Sequence, residues 1–472
     1  MNLINLLDYG NSVYDLNKKI NGLSRQNDEF PTKPSTVLKM AIAMILTRMP
    51  SIHYLMNSID SPSKPMRKLF CKGEFVPKTH ALRDCMTDTD YHQVFKILED
   101  MVYQLKRNKF FENHTYRGKH IVIADGLEEF ETKKNISGLH NRRHKNGEEG
   151  HYFKALGLMY MADDVDIMLD LYPFEKNDVK EDIEHNEKIK SEGEITVLKK
   201  LIPRFKEYYT DICVLDAMFL NAPCLNLIKE EGMEAVVRLK DKKRLIYQDA
   251  EKLFQTREED ESYEIVKRIE LKKKKYSKAS KKKTTSDSQE YYFTRPISGK
   301  NLKEKIVVEE KTVSHPKYES YIKVTEEVIK KVQVWEDEFE LTNYQHGNVL
   351  VIRTIETAKK DGKEQKDEMY LVTTLLEEPS EFIVDLMHRR WDIELRGFRK
   401  LKTTYHLNHL YIGNDNAIRL LSYLTLIIFN LVELYFNVHT KKQKRKFSLT
   451  FILEGYRSEI SSKPICKYFL VT

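Results

Sequence analysis

Two short β-branched runs, each closing on an aspartate and lying about ninety residues apart, constrain this chain more than any other feature. His120-Ile121-Val122-Ile123-Ala124-Asp125-Gly126 reads as a buried strand that ends in an acid followed by a glycine turn. Asp125 is therefore expected at a strand's carboxyl end, where a ligand can reach it. Asp211-Ile212-Cys213-Val214-Leu215-Asp216-Ala217 repeats the design. Between the two, Tyr152 to Met161 and Val165 to Tyr172 are apolar stretches parted by Ala162-Asp163-Asp164, a hairpin signal. Val179 to about Phe205 is charged and helix-favouring, and after Asp216 come a helix ending near Gly232 and a strand from Met233 to Leu239.

The resulting order is strand, strand, strand, helix, strand, helix, strand, with acids on the first and fourth strands. That is the ribonuclease H topology, an α/β fold with a mixed sheet and flanking helices. A third acid, Glu394, lies in a basic, aromatic helix, Arg389-Arg390-Trp391-Asp392-Ile393-Glu394, followed by Phe398, Leu401 and Lys402. Three carboxylates in this order suit hard cations, which prefer carboxylate and water oxygens. Two Mg²⁺ ions about 3.5–4 Å apart activate an attacking oxygen and stabilise a leaving one at phosphorus. Buried together without metal, the acids are expected to raise one another's pKa. The competing reading makes the aspartates ordinary turn residues and pairs Glu394 with Arg390 one helical turn away. It accounts for each acid singly but not for the ordered triple.

The Glu394 region resembles that of the IS4-type DDE transposases, whose signature is tyrosine, arginine, glutamate and lysine with two, three and six residues between them. Arg390 and Glu394 have the required three. Position 387 is methionine instead of tyrosine, and seven residues separate Glu394 from Lys402. One inserted residue turns a helical side chain by about 100°, which takes Lys402 off the family's position in a regular helix. Further similarity runs through Pro77-Lys78-Thr79-His80-Ala81-Leu82-Arg83-Asp84 and Leu407-Asn408-His409, and the resemblance spans roughly residues 35 to 440.

The resemblance implies a cut-and-paste DNA transposase in which Asp125, Asp216 and Glu394 are the catalytic metal ligands. Two Mg²⁺ ions, replaceable by Mn²⁺, are the implied cofactor. Arg390 and Lys402 would meet phosphate oxygens of double-stranded DNA, both at terminal inverted repeats and at the target. Holding two ends together implies a homodimer on DNA. A hairpin intermediate is implied in the same way, because hairpin-forming relatives hold a flipped base on an insertion-domain tryptophan. Trp335, in Val332-Gln333-Val334-Trp335-Glu336, is the candidate here; alternation equally permits it to be core of a sheet. Trp391 is open to the same two readings, and its place on the catalytic helix favours packing. A nuclease that no longer transposes and a non-catalytic DNA-binding protein are the competing classes, the second disfavoured by the presence of all three acids.

The implied organisation is a helical region over 1–115 that helps bind terminal repeats or merely props the core, with apolar residues at helical spacing in Val37 to Met49 and Val94 to Leu105. The polar segment Ser58 to Lys78 interrupts it. The ribonuclease H-like domain occupies 116–240 and 371–440, and a basic tail covers 441–472. Between its halves, 241–370 reads as a β-rich insertion, with strands at Tyr263 to Leu271, Glu290 to Thr294, Ile306 to Val313, Lys331 to Trp335 and Val349 to Glu356, and a loop from Ala279 to Ser288.

Composition narrows the rest. The chain has 472 residues, and 79 Lys+Arg against 72 Asp+Glu give a net charge of +7, too small by itself to diagnose nucleic-acid binding. Arg142-Arg143-His144-Lys145, Lys272 to Lys275, Lys281 to Lys283 and Lys441 to Lys446 are either phosphate contacts or solvated loops. Five cysteines without metal-ligand spacing suit a reducing compartment, and the amino terminus lacks a secretion-signal layout, so a cytoplasmic location is expected; that it is bacterial and near the nucleoid is what the resemblance implies. Leu420 to Phe436 is apolar enough to suggest a membrane span. Ser422, Asn430 and Glu433 within it argue for a buried helix instead, and no membrane partner is expected.

Overall fold

The computed structural model describes residues 3–26, 32–60, 77–175, 193–257, 263–276, 309–315, 318–360, 363–439 and 449–462. These fall into two compact units, residues 1–235 with 388–472, and residues 236–387.

In the first unit, β1 (Ile121–Thr132) pairs antiparallel with β3 (Glu149–Met161), which pairs antiparallel with β4 (Asp166–Pro173). A short β2 (His140–Arg143) joins the start of β3. On the other side of β1 lies β5 (Ile212–Leu215), parallel to it, reached through the Glu194–Phe205 helix. An antiparallel trio whose first strand takes a parallel neighbour is the ribonuclease H arrangement, as the element order predicts. Ile121 to Ala124 and Ile212 to Leu215 are all buried, which is why both runs are continuously apolar instead of alternating. The Ala222–Glu230 helix follows, and Glu234 at the start of β6 (Glu234–Leu239) donates its N–H to the Asp211 carbonyl at 2.8 Å.

One expectation is overturned here. β1 does not end at Asp125: Asp125 and Gly126 stay in the ladder opposite Gly157 and Leu156, and the strand runs on to Thr132. The hairpin's demand for paired backbone groups outweighs the turn preference of an Asp-Gly pair. What ends at this level is β5. Its parallel pairing runs from Ile121↔Ile212 to Ala124↔Leu215, so Asp125 and Asp216 stand level where the partner strand stops.

The Asp415–Leu434 helix supplies the unit's core, with every residue from Ala417 to Leu434 buried. It packs on β4 and on the Tyr91–Arg107, Pro34–Leu46 and Thr79–Asp88 helices, so the expected amino-terminal helices share their core with it. The helix is long and apolar enough to cross a membrane, and its apolar stretch from Ala417 to Leu434 is buried. Its polar residues explain themselves by their partners. Ser422 Oγ donates to Glu129 Oε2 at 2.9 Å, and Asn430 bonds both the N–H and the carbonyl of Met168 at 2.9 and 2.7 Å, where β4 slips register against β3. Glu433 accepts from Lys400 Nζ at 2.8 Å. Buried polar groups are tolerated when paired in this way.

The second unit is a long antiparallel sheet. Val236 to Leu239 of β6 pairs with β11 (Lys363–Thr373), followed by β10 (Val349–Lys360), β9 (Tyr318–Phe339) and β7 (Tyr263–Tyr276), with β8 (Glu309–His315) also on β9. The strand at 363–373 was not expected from the sequence, and β9 is far longer than the expected Lys331 to Trp335. The expected strand at Glu290 to Thr294, the loop from 279 to 288, the lysines at 281–283 and 441–446, and most of the segment from 58 to 78 lie outside the described residues.

Candidate active site

Three elements of the first unit converge on one arginine. Asp125 comes from the middle of β1, Asp216 from the residue after β5, and Arg390 and Glu394 from the segment that follows the Ser380–Arg389 helix. Arg390 Nη1 lies 2.7 Å from Asp125 Oδ2 and 3.7 Å from Glu394 Oε1, and Nη2 lies 3.8 Å from Asp216 Oδ1. The Arg390 side chain is 3% exposed. Exposure of the acids rises outward, with side chains 14% exposed at Asp125, 24% at Asp216 and 41% at Glu394. The solvent side of the cluster is thus acidic and the buried side cationic.

Burial pushes the Asp125 carboxyl up to about 6, Arg390 and the Gly126 N–H pull it down, and Glu394 and Asp216 raise it slightly further. The expected cause, mutual repulsion among the acids, is therefore the minor one. The guanidinium standing between them offsets it.

Glu394 does not sit in a regular α-helix. Ile393–Phe398 forms a π-helical turn that passes into the α-helical Arg399–Thr403. A π turn closes on the fifth residue instead of the fourth and so absorbs one extra residue. The count from Glu394 to Lys402 therefore does not cross a uniform helix, and the rotation of about 100° per residue expected of a regular one does not apply across this segment.

A glycine seats this segment on the sheet. Gly157 lies opposite Asp125 in the ladder, and a Cβ built on it would stand 2.5 Å from the Phe398 ring. Gly397 similarly lies against the sulfurs of Met168 and Met159. Arg396 also reaches Asp166 of β4 at 3.4 Å and Lys400 reaches Glu433 of the Asp415–Leu434 helix, while Asp392 pairs locally with Arg396 at 3.4 Å and with Arg389. Sequence reasoning passed over Gly157. Its signal was a glycine inside a run of large strand residues, which marks close approach by another element.

The family model described as "Transposase DDE domain" matches residues 188–431, just over half of the chain. The chain belongs to the transposase DDE domain family. The match takes in Asp216, Arg390, Glu394 and Lys402 and begins after Asp125. A solved structure, the piggyBac transposase synaptic complex with hairpin DNA, aligns over 99% of this chain and 82% of its own, at 10% identity and a TM-score of 0.44. No curated protein matches.

Transposase DDE domains use divalent metal ions, and the donor chemistry of Asp125, Asp216 and Glu394 fits them: three hard oxygen donors, partly open to solvent, with charge in excess of the one cation among them. Their present spacing is another matter. Among the described residues no three His, Cys, Asp or Glu side chains are gathered closely enough to hold an ion as they stand. In this transposase domain the acids are parted by Arg390.

The remaining candidates fall elsewhere. Lys402 is half-buried close to Glu129 and Glu128 of β1. Burial lowers the Lys402 pKa, while Glu129 and Glu128 act to raise it. Arg142 and His144 pair with Glu128 and Glu131 of β1, which favours the solvated reading for those two residues. Trp335 belongs to the second unit, where it is 5% exposed on β9 beneath the Arg353 guanidinium, 4.8 Å from the ring. A buried ring offers no free face to a base, so the core reading is the one its surroundings support. Trp335→Ala is then expected to cost about 3–5 kcal/mol of stability, read as a lowered melting temperature with every reaction step depressed together. Trp391, for which packing was the favoured of two readings, is 45% exposed, with the Arg390 guanidinium 4.8 Å from its ring.

Glu129 is a residue that sequence reasoning missed. It is 3% exposed, and burial pushes its carboxyl up to about 8, with Ser422 and Lys402 pulling the other way. Unfolded, a glutamate ionises near its ordinary value of 4.5. Between these values the unfolded chain loses a proton that the folded chain keeps, so stability is greatest below the lower value and declines as pH rises through the upper. Glu129→Gln removes this loss. Its melting temperature relative to the parent is expected to rise across that window, compared at about pH 5 and about pH 9.

Proposed function

We propose that this chain is a cut-and-paste DNA transposase of the IS4 type, which cuts phosphodiester bonds at element ends and transfers the freed strand to target DNA. The observation that carries the reading is the convergence of Asp125, Asp216 and Glu394 from three separated segments around one buried guanidinium. Asp125 and Asp216 hold metal from the sheet and Glu394 completes the set. Bound there, two Mg²⁺ ions supply an activated attacking oxygen and a stabilised leaving oxygen. Arg390, with planar forked donors, binds two phosphate oxygens at once, whereas Lys402 acts as a point charge further along the strand's path. The exposed Trp391 indole gives an unpaired base a stacking surface worth about 1–3 kcal/mol. The amino-terminal helices contribute binding to the terminal repeats, two copies hold the paired ends, and the reaction takes place in the cytoplasm.

Purified protein incubated with the DNA flanking its own gene tests this. Mg²⁺ or Mn²⁺ is expected to support cleavage and strand transfer, while Ca²⁺, larger and looser in geometry, permits binding with little turnover. Cleavage that persists in excess chelator defeats the metal reading. Metal-dependent cleavage without strand transfer leaves a nuclease that no longer transposes.

A further inference from the structure

We infer that Arg390 is a positioning residue that keeps the three carboxylates in place as a built-in cation before metal arrives, and that metal loading requires its guanidinium to release them. This rests on the metal-dependent reading above. An arginine cannot shed its charge, and a buried charge persists only when paired. Here the pairing is with all three acids at once, by one hydrogen bond to Asp125 and two longer ion pairs. A divalent ion drawn to the same oxygens and a guanidinium already among them repel each other, so the two compete for one position.

The side chain has somewhere else to go. Arg390 Nε has no hydrogen-bond partner, and the guanidinium already lies against the exposed Trp391 ring. Cation–π attraction supports it on that side, and a phosphate oxygen would complete its pairing there. A DNA phosphate that draws Arg390 outward therefore frees the acids for metal. By linkage, metal bound among the acids strengthens the hold of Arg390 on DNA by the same factor. Metal and DNA are coupled through one side chain.

The test is Mn²⁺ titration of the full chain without DNA, by calorimetry and by electron paramagnetic resonance, beside melting curves. If the metal-free protein has Arg390 withdrawn no more than about a tenth of the time, removing the guanidinium tightens Mn²⁺ binding about tenfold. Arg390→Gln is expected to show that gain, a lower melting temperature without metal, and a larger rise on adding Mn²⁺ than the parent shows. Unchanged or weaker Mn²⁺ affinity in a folded Arg390→Gln overturns the inference, because it would mean that the guanidinium supports the ions instead of competing with them. Should that variant not fold, Arg390→Lys, whose single ammonium cannot reach the three acids as a fork does, is expected to shift affinity in the same direction by less, and no shift overturns the proposal. Asp125→Asn added to Arg390→Gln separates this from failure of the metal reading itself. Loss of Mn²⁺ binding in the double variant places the ion at the acids, while undiminished binding rejects that placement and the inference with it.

Discussion

Asp125→Ala, Asp216→Ala and Glu394→Ala are each expected to lower strand cleavage by about a thousandfold or more, since metal-borne charge stabilisation is worth several kcal/mol and each 1.36 kcal/mol is tenfold in rate. Binding to the element's ends is expected to survive, because phosphate contacts elsewhere carry the affinity. The three variants should differ in stability. Asp125 supplies the 2.7 Å partner of an arginine side chain that is 3% exposed, whereas Asp216 and Glu394 stand 3.8 and 3.7 Å away. Removing one partner of a buried ion pair costs about 3–5 kcal/mol, so Asp125→Ala should melt well below the other two. Cleavage assays, gel-shift titrations and melting curves on the same preparations check all of this. Normal cutting by any one variant removes that residue from the site.

Gly157→Val is expected to disable the enzyme without touching an acid. Its side chain would occupy the space of the Phe398 ring, 2.5 Å from where a Cβ must stand. The ring and the π-helical turn that carries Glu394 must then move away from the sheet. Overpacking of this kind costs about 1–3 kcal/mol of stability, which a domain of this size survives. Displacing a catalytic group by about 1 Å, however, costs roughly a hundredfold in rate. Cleavage should therefore fall far more than the melting temperature does. Gly157→Ala is expected to show a milder form of the same defect, and pairing it with Phe398→Leu should restore part of the rate, since neighbours that share a contact are coupled. Full activity in Gly157→Val would show that Phe398 does not fix the position of Glu394.

The acids were legible in the sequence because each lies beside a local pattern: two buried strand runs and one basic, aromatic helix. The ribonuclease H order was legible for the same reason, as the hairpin between Tyr152 and Tyr172 and the parallel run at Ile212 each announce themselves by composition. What misled was Asp125-Gly126, where a local turn preference gave way to the ladder with Gly157 and Leu156. The strand at 363–373 was missed because its first half is charged, although Asp361-Gly362 is a strong hairpin dipeptide just before it. Neither the guanidinium between the acids nor the burial of Glu129 could be read locally. Both depend on which helix crosses which strand, a matter of long-range packing that spacing alone does not encode. Lys402 shows the limit from the other side: counting residues from Glu394 assumed a uniform helix, and the π turn breaks that assumption.

The late position of the Asp415–Leu434 helix has a consequence for how the protein is made. The Pro34–Leu46 and Tyr91–Arg107 helices and β4 all bury their apolar faces against it, yet the ribosome delivers it hundreds of residues after them. Until it emerges, those faces have no partner, and the first unit cannot close around its own core. Non-local closure of this kind is slow and leaves apolar surface exposed to aggregation. A nascent chain that already carries Asp125 and Asp216 still lacks Arg390, Glu394 and the helix that braces them. On the proposed reading, the assembled set of acids therefore waits for the Asp415–Leu434 helix, and a chain that stops before Arg390 carries two of the three acids on a unit that has not closed.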